Sequence, residues 1–184
     1  MAKVAVVFHS GYGHTLRMAQ SVAQGADAEL VAIDADGNLT EAQWATLAEA
    51  DAIIMGSPTY MGSVSWQFKK FADASSKQWF GQQWKDKVFA GFTNSGSMNG
   101  DKHSTLHYLF TLAMQHSGIW VGTGLMPSSS KAAQRNDINY LGSFAGAMAQ
   151  SPSDASPAEM PQGDLDTAKL FGQRVAAITA KVKP

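Results

Sequence analysis

Residues 3–15 read KVAVVFHSGYGHT, and this stretch decides the fold. Its apolar first half predicts a buried strand, its small polar residues predict a turn, and the residues that follow predict an amphipathic helix. In an open parallel sheet, such a junction lies at the carboxyl end of the first strand, where helix N–H groups and the helix dipole favour a phosphate. The stretch therefore predicts a ligand that carries a phosphate.

The composition of this turn narrows the type of ligand. A Walker loop needs Gly-Lys-Ser/Thr and a dinucleotide fingerprint needs G-x-G-x-x-G, whereas here Gly11 and Gly13 are followed by Leu16. Ser10 and Thr15 remain as two hydroxyls able to donate to phosphate oxygens beside the backbone amides. This favours a monophosphate bound without a metal. The alternative is that both hydroxyls only cap the helix.

Length and composition indicate one soluble domain. The chain has 184 residues, of which 45% are hydrophobic and 16% charged, which is typical of a globular protein with a full core. A net charge of -1 predicts neither nucleic acid nor a membrane surface as partner. The absence of cysteine excludes disulfides, thiolate catalysis and Cys-ligated zinc. Because the first apolar run is too short for a signal peptide or a membrane span, we expect a cytoplasmic protein.

Strand and helix patterns alternate along the chain. Strands are predicted at 3–8, 29–34, 51–56, 88–93 and 119–121. Helices are predicted at 15–24, 40–50, 67–75, 104–116 and 165–181, the first ending at Gly25 and the second opening on a capping box. This order predicts an α/β fold, a doubly wound five-stranded parallel sheet with helices on both faces.

The segment 125–163 breaks the alternation. It is rich in small residues, proline and methionine, and it is too long for an ordinary connection in such a fold. We interpret it as a surface excursion of a single domain, residues 1–184, with a last extended piece near 145–150. The alternative is a flexible loop without a function.

Two further loops follow predicted strands and carry suitable chemistry for a ligand. Residues 56–62 and 94–100 combine glycines with hydroxyls, an amide and an aromatic ring. With residues 10–15 they should converge over the carboxyl ends of the first, third and fourth strands. A flat heteroaromatic ligand would match them, although either loop alone is also typical of an ordinary Gly/Ser turn.

The motifs SGYGHT at 10–15, GSPTYMG at 56–62 and TNSGS at 93–97 resemble, in order and spacing, the three flavin loops of flavodoxin-like proteins. They look most like the WrbA-type NAD(P)H:quinone oxidoreductases and their shorter flavodoxin-family relatives. QHSG at 115–118 extends the resemblance over essentially the whole chain. The resemblance implies FMN as cofactor, NAD(P)H as co-substrate, a quinone or similar small molecule as acceptor, and a homodimer or homotetramer.

The resemblance also implies roles for individual residues. The FMN phosphate would be bound by Ser10, Gly11, Tyr12, Gly13, His14 and Thr15. The flavin ring would be bound by Pro58, Thr59, Tyr60, Met61 and Gly62 on one side and by Asn94, Ser95, Gly96, Ser97, Met98 and Asn99 on the other. The catalytic residues would be His116, which faces flavin and substrate, Trp79, which reaches a neighbouring subunit's pocket, and Tyr12, which contacts nicotinamide or quinone.

Two classes of function remain open. The first is an enzyme in which FMN takes a hydride from NAD(P)H and passes two electrons to a quinone, with His116 donating a proton. The second is a flavodoxin-type electron carrier, and a reductase that uses FMN as substrate is a further variant. The small net charge favours the enzyme, since carriers that dock by electrostatics benefit from a strongly acidic face. No metal is expected, because His103 and His107 lack the glutamate of a zincin.

Overall fold

One sheet with helices on both faces makes up the protein in a computed structural model that describes residues 2–183. The strands are β1 (Val4–Phe8), β2 (Glu29–Ala32), β3 (Ala52–Tyr60), β4 (Ser63–Val64), β5 (Val88–Ser95), β6 (Ile119–Trp120) and β7 (Ala147–Gln150). The helices are α1 (His14–Ala26), α2 (Glu41–Glu49), α3 (Trp66–Ala74), α4 (Ser76–Phe80), α5 (Lys102–Gln115) and α6 (Gln162–Val182), and a 3₁₀ turn spans Pro157–Glu159.

The strand order is β2-β1-β3-β5, and β6 and β7 both pair with β5 at its outer edge. All of these pairs are parallel, and only β4 runs antiparallel, against the end of β3. The predicted doubly wound parallel sheet is therefore present, with its fifth position shared by two short strands. Within residues 2–183, no helix is long and apolar enough to cross a membrane.

Alternation along β1 builds a core on each face of the sheet. Val4, Val6 and Phe8 pack with α1 and α6, whereas Ala5 and Val7 pack on the other face with α2, α3 and α5. Both faces of a parallel sheet are covered, which explains why β1 is apolar throughout. Full burial of each large aliphatic side chain stabilises the fold by about 1.5–3 kcal/mol.

Helices α1 and α6 approach each other closely through two glycines. A Cβ on Gly25 would lie 1.9 Å from the backbone oxygen of Lys169, and one on Gly172 would lie 2.1 Å from that of Val22. The prediction that Gly25 ends the first helix is wrong, since α1 continues to Ala26. This glycine permits helix packing instead of stopping the helix.

The fifth strand is interrupted by residues 121–146. β6 pairs with the start of β5 and β7 with its end, so the extended piece predicted near 145–150 is a strand of the sheet. Side-chain hydrogen bonds hold the interrupting segment in place. Thr123 Oγ1 donates to Ser143 O at 2.8 Å within the segment, and Asn139 N donates to Thr167 Oγ1 of α6 at 2.8 Å. Arg135 forms a bidentate ion pair with buried Asp164 of α6, at 2.8 and 2.6 Å.

Candidate functional site

A cavity of about 650 Å³ lies at the carboxyl edge of the sheet, where the three predicted loops meet. It is lined by Tyr12, His14, Thr59, Tyr60, Asn94, Ser95, Gly96, Ser151, Ser153, Ala155 and Pro157. None of these described residues is acidic, so the lining suits an anionic ligand. The volume is within the range of small-molecule sites, about 300–1,000 Å³.

The first loop is shaped by Ser10. Its Oγ accepts hydrogen bonds from Gly13 N at 3.1 Å and from Leu16 N at 3.0 Å, which satisfies two amides at the start of α1. The hydroxyl proton of Ser10 is not used in these two bonds. Gly13 has φ +90°, and a Cβ there would lie 2.8 Å from Pro157 Cγ. The loop therefore requires glycine at position 13 for both conformation and space.

Thr15 connects the first loop to the third. Its buried Oγ1 donates to Asn94 Oδ1 at 2.6 Å, and Asn94 Nδ2 donates to Ser151 Oγ at 2.9 Å. The proton that the sequence assigned to a phosphate is thus donated to Asn94 in this structure. Asn94 lines the cavity, and its bonds to Thr15 and Ser151 join α1, β5 and the residue after β7.

The second loop is a hairpin and not an open turn. The predicted strand at 51–56 continues to Tyr60, because pairing with β5 extends through Pro58 and Asn94, and the chain then returns in β4. Met61 and Gly62 occupy the turn with φ 47° and 79°, which is typical of a tight two-residue hairpin. Met61 is fully exposed at its tip.

Two tyrosines form one side of the cavity mouth. Tyr12 and Tyr60 meet edge to face, with ring centroids 6.3 Å apart. Tyr12 is 78% exposed, and a Cβ on Gly11 would lie 2.7 Å from Tyr60 Oη. Below them, Thr59 Oγ1 bonds to the hydroxyls of Thr93 at 2.9 Å and Thr105 at 2.7 Å. The residue before Tyr60 is therefore held by a buried row of three hydroxyls.

The third loop divides between two cavities. Ser95 and Gly96 line the cavity described above, whereas Met98 and Asn99 line a neighbouring one of about 610 Å³. Tyr140 and Phe144, from the segment that interrupts the fifth strand, form much of the wall of that second cavity. The residues predicted to bind one ligand thus face two different spaces.

Residues 151–157 form a wall that the sequence interpretation missed. Ser151, Ser153, Ala155 and Pro157 line the cavity, and the ring of His14 bonds through Nε2 to Ala155 O at 2.8 Å. The available signal was the extended piece near 145–150. Since that piece is a parallel strand of the sheet, the residues after it emerge at the same carboxyl edge as the three loops.

His116 does not lie at this edge of its own chain, so its predicted role beside the flavin would require the cavity of a second copy. It follows the end of α5, whose first residue is close to Ser95 and whose 14 residues span about 21 Å. The imidazole is 3% exposed, bonds through Nε2 to Ser75 Oγ at 2.9 Å, and packs on Trp84 with ring centroids 4.6 Å apart. Burial lowers the pKa of His116 to about 4, so the ring is neutral at pH 7.

Trp79 lies with His116 and not with the three loops. Both line a cavity of about 240 Å³ at the amino edge of the sheet, together with Ser75 and Tyr108. Burial raises the pKa of Tyr108 to about 12. Of the predicted catalytic residues, only Tyr12 lies at the carboxyl-edge cavity of its own chain.

The carboxyl-edge cavity fits the chemistry of a flavin mononucleotide. The start of α1 and the Ser10 hydroxyl are suited to a phosphate, because the first turn of α1 carries no acidic residue. Tyr60 provides an aromatic surface, and the Gly96 backbone is open to close approach, since a Cβ there would meet nothing nearer than 3.7 Å. The donor set and the shape therefore suit a flat ring joined to a phosphate.

Comparison with known proteins supports the same assignment. The family described as NADPH-dependent FMN reductase matches residues 9–133. "Flavodoxin FldP" of Pseudomonas aeruginosa is 58% identical over 178 residues, 97% of each chain. "NAD(P)H dehydrogenase (quinone)" of Geotalea daltonii is 32% identical over 206 residues, 98% of each chain.

A solved structure agrees with the fold and the family. The flavodoxin, WrbA-like protein from Agrobacterium tumefaciens is 54% identical, superposes with a TM-score of 0.82 and covers 100% of both chains. The predicted flavodoxin-like fold is confirmed, and the predicted chemistry of FMN with NAD(P)H is that of the matching family. The chain belongs to the flavodoxin-like NADPH-dependent FMN reductase family.

Proposed function

We propose that the carboxyl-edge cavity binds FMN, with its phosphate at residues 10–15 and its ring between Tyr60 and residues 94–96 at the end of β5. Support comes from the acid-free lining and from the glycines that bring backbone close to the cavity. The start of α1 favours the negative phosphate, and Ser10 retains a proton for one of its oxygens. The wall at 151–157 excludes water from one side.

FMN, when bound, supplies the capacity to accept electrons from one partner and pass them to another. The chain's own contribution is to hold the ring and to set the surrounding charge. Backbone N–H groups where β5 ends, at residues 95–96, favour added negative charge on a ring edge. Tyr12 and Met61, both strongly exposed, form an apolar rim that suits contact with an electron-transfer partner.

We propose further that the chain works as a flavodoxin-type electron carrier. The observation that supports this choice over the quinone reductase is the position of His116, buried and neutral at the opposite edge from the cavity. Electron transfer to a docked protein involves no proton donor, whereas reduction of a quinone to a hydroquinone also takes up protons, and a side chain beside the ring would speed their delivery. Two relatives with more than half of their residues identical carry the word flavodoxin in their names, one of them as a flavodoxin, WrbA-like protein.

The second candidate is an NAD(P)H dehydrogenase (quinone). It is favoured by the family description, by relatives at 32% identity and by the net charge of -1, which provides no strongly acidic docking face. For Trp79 and His116 to serve this reaction, a second copy must bring its amino edge to the cavity of the first. The predicted homo-oligomer is therefore part of this candidate and not of the carrier.

One anaerobic experiment separates the two candidates. The FMN-loaded protein is mixed with NADH or NADPH, first alone and then with a catalytic amount of ferredoxin–NADP⁺ reductase, while the flavin absorbance is followed. For the carrier, we expect bleaching only after the reductase is added. Rapid bleaching by either nucleotide alone, reversed by benzoquinone, would instead establish the enzyme and contradict the carrier.

Binding itself is tested by titration with FMN and with riboflavin, which lacks the phosphate. Because charge-assisted hydrogen bonds at the first loop should recognise the phosphate, we expect riboflavin to bind about 100-fold more weakly. Equal affinities would contradict a phosphate site at residues 10–15.

A further inference from the structure

Lys102 is a buried cation that the proposed function does not yet use. It is 1% exposed although it stands in the first turn of α5, where the helix dipole disfavours positive charge. Its Nζ donates to Ser95 Oγ at 2.8 Å, to Ser97 O at 2.7 Å and to Met98 O at 3.0 Å. All three acceptors belong to the third loop of the candidate site.

The third loop is folded around this ammonium group. Gly100 and Asp101 both have positive φ, 55° and 51°, and a Cβ on Gly100 would lie 2.1 Å from Ser95 Oγ. Ser95 in turn donates to Ser97 O at 3.2 Å. Burying an ammonium group is costly unless hydrogen bonds compensate for the lost water, and here the loop provides all three acceptors. The shape of the loop therefore depends on Lys102.

No carboxylate neutralises Lys102 directly among residues 2–183. The charged groups that act on it are Asp164 of α6, which raises its pKa, and Arg135, which lowers it. Both oxygens of Asp164 are already engaged, by Arg135 and by Gln150 N at 2.9 Å. Burial is the larger effect and lowers the pKa of Lys102 to about 8, so the charged form still prevails at pH 7.

The charge is one hydrogen bond away from the cavity. Ser95 lines the cavity and receives a hydrogen bond from Lys102, so the ammonium group lies directly behind the lining. Within a protein, a charge at such short range is screened far less than in bulk water. A group in the cavity that gains negative charge is therefore stabilised by Lys102 more than a group that does not.

We propose that Lys102 is a positioning residue of the FMN site, which shapes loop 95–100 and favours the reduced over the oxidised cofactor through its charge. This inference rests on the proposed binding of FMN in the carboxyl-edge cavity. It assigns two separable effects to one side chain. The hydrogen bonds determine affinity in both redox states, and the charge determines the ratio of the two affinities.

The test measures FMN dissociation constants of the oxidised and reduced protein, and the midpoint potential, for wild type, Lys102→Met and Lys102→Arg. For Lys102→Met we expect weaker binding in both states, with the reduced form losing about tenfold more, a shift of about 30 mV to lower potential for a two-electron couple. For Lys102→Arg we expect weaker binding but a preserved ratio. Lys85→Met, which removes an exposed lysine near the other edge, is the control and should match wild type.

The outcomes distinguish the inference from the function on which it rests. Failure of the wild type to bind FMN would overturn both. Binding by the wild type together with an unchanged ratio in Lys102→Met would overturn the charge effect and reduce Lys102 to a structural residue. If thermal unfolding shows that Lys102→Met does not fold, Lys102→Gln replaces it, because glutamine still donates hydrogen bonds without the charge, and the same shift of the ratio is expected.

Discussion

Each edge of the sheet carries an aromatic ring, an imidazole and a serine hydroxyl, but the cavities at the two edges differ in size. The carboxyl edge has Tyr12, His14 and Ser95 around an open cavity of about 650 Å³. The amino edge has Trp79, His116 and Ser75 around a space of about 240 Å³. At the first edge, helix α1 begins and presents amides, whereas at the second the end of α5 is closed by packed indole and imidazole rings. The difference teaches that topology, more than residue type, decides which edge carries the larger open cavity.

The prediction with the largest expected effect tests whether the aromatic cluster at the amino edge contributes to stability alone and not to FMN binding. Trp84 is fully buried against Trp44, Phe71, Phe89 and His116. We expect Trp84→Ala to lower the free energy of unfolding by about 3–5 kcal/mol, measured by denaturant titration, without changing the FMN affinity of the folded fraction. A substantial loss of FMN affinity in a folded variant would contradict the separation of the two edges.

Trp84→Phe is the matched control. The indole Nε1 has no hydrogen-bond partner within residues 2–183, so phenylalanine removes an unsatisfied donor along with part of the ring. The loss of stability should therefore be much smaller than for alanine.

The second prediction tests the carboxyl edge. In Gly13→Ala, the added Cβ meets Pro157 and the positive φ becomes strained, so we expect a cost of about 1–3 kcal/mol and FMN binding weaker by about tenfold or more. Gly142→Ala is the control, since φ there is +68° and the nearest atom is Pro127 Cβ at 3.7 Å. It should lose stability but retain FMN affinity, and a parallel loss of affinity in both variants would show that strain alone is responsible.

The third prediction concerns pH. The folded protein keeps His116 neutral down to about pH 4, whereas the unfolded chain takes up a proton near the ordinary value of 6.5. The unfolded state therefore binds more protons between these values, and stability should fall by about 1–2 kcal/mol as the pH is lowered from 6.5 to 5. His9, whose pKa is also lowered by burial, adds to the same trend. In His116→Gln the dependence should be shallower, and an unchanged slope would show that His116 does not cause it.

The smallest effect is expected at Trp79. Its side chain is 40% exposed at the amino-edge cavity, so Trp79→Ala should change the free energy of unfolding by about 1 kcal/mol or less. FMN affinity should not change in dilute solution, where the chain is measured alone. A loss of quinone reduction that appears only at high protein concentration would instead support the second candidate function, with Trp79 acting across a subunit contact.

The sequence predicted the fold well because parallel strands are continuous apolar runs and helices have clear starts. Thr40, for example, caps α2 as its spacing to Gln43 predicts. The end of β3 was predicted too early, because Ser57 and Pro58 are typical of a turn. In the structure they extend the strand, since Pro58 still faces Asn94 of β5.

The candidate site was predicted only where a loop directly follows a strand. Ser10, Tyr60 and Ser95 were found because each lies at a strand end, whereas Ser151 was missed because β7 was not yet placed in the sheet. The edge at which His116 lies could not be predicted, because a short sequence motif does not show which end of the sheet it occupies. Lys102 was missed because a lysine in a first helical turn gives no sign of burial.

The interrupted fifth strand marks the place at which a shortened scaffold would be designed. Trp120 pairs with Phe89 and Ala147 pairs with Phe92, so a dipeptide would bridge the two halves in register if residues 121–146 were excised. Excision would also remove Arg135 and leave Asp164 as a buried carboxylate without its guanidinium partner. A shortened protein would therefore need a neutral side chain at position 164, because the Arg135–Asp164 ion pair is the charged contact that joins the excised segment to α6.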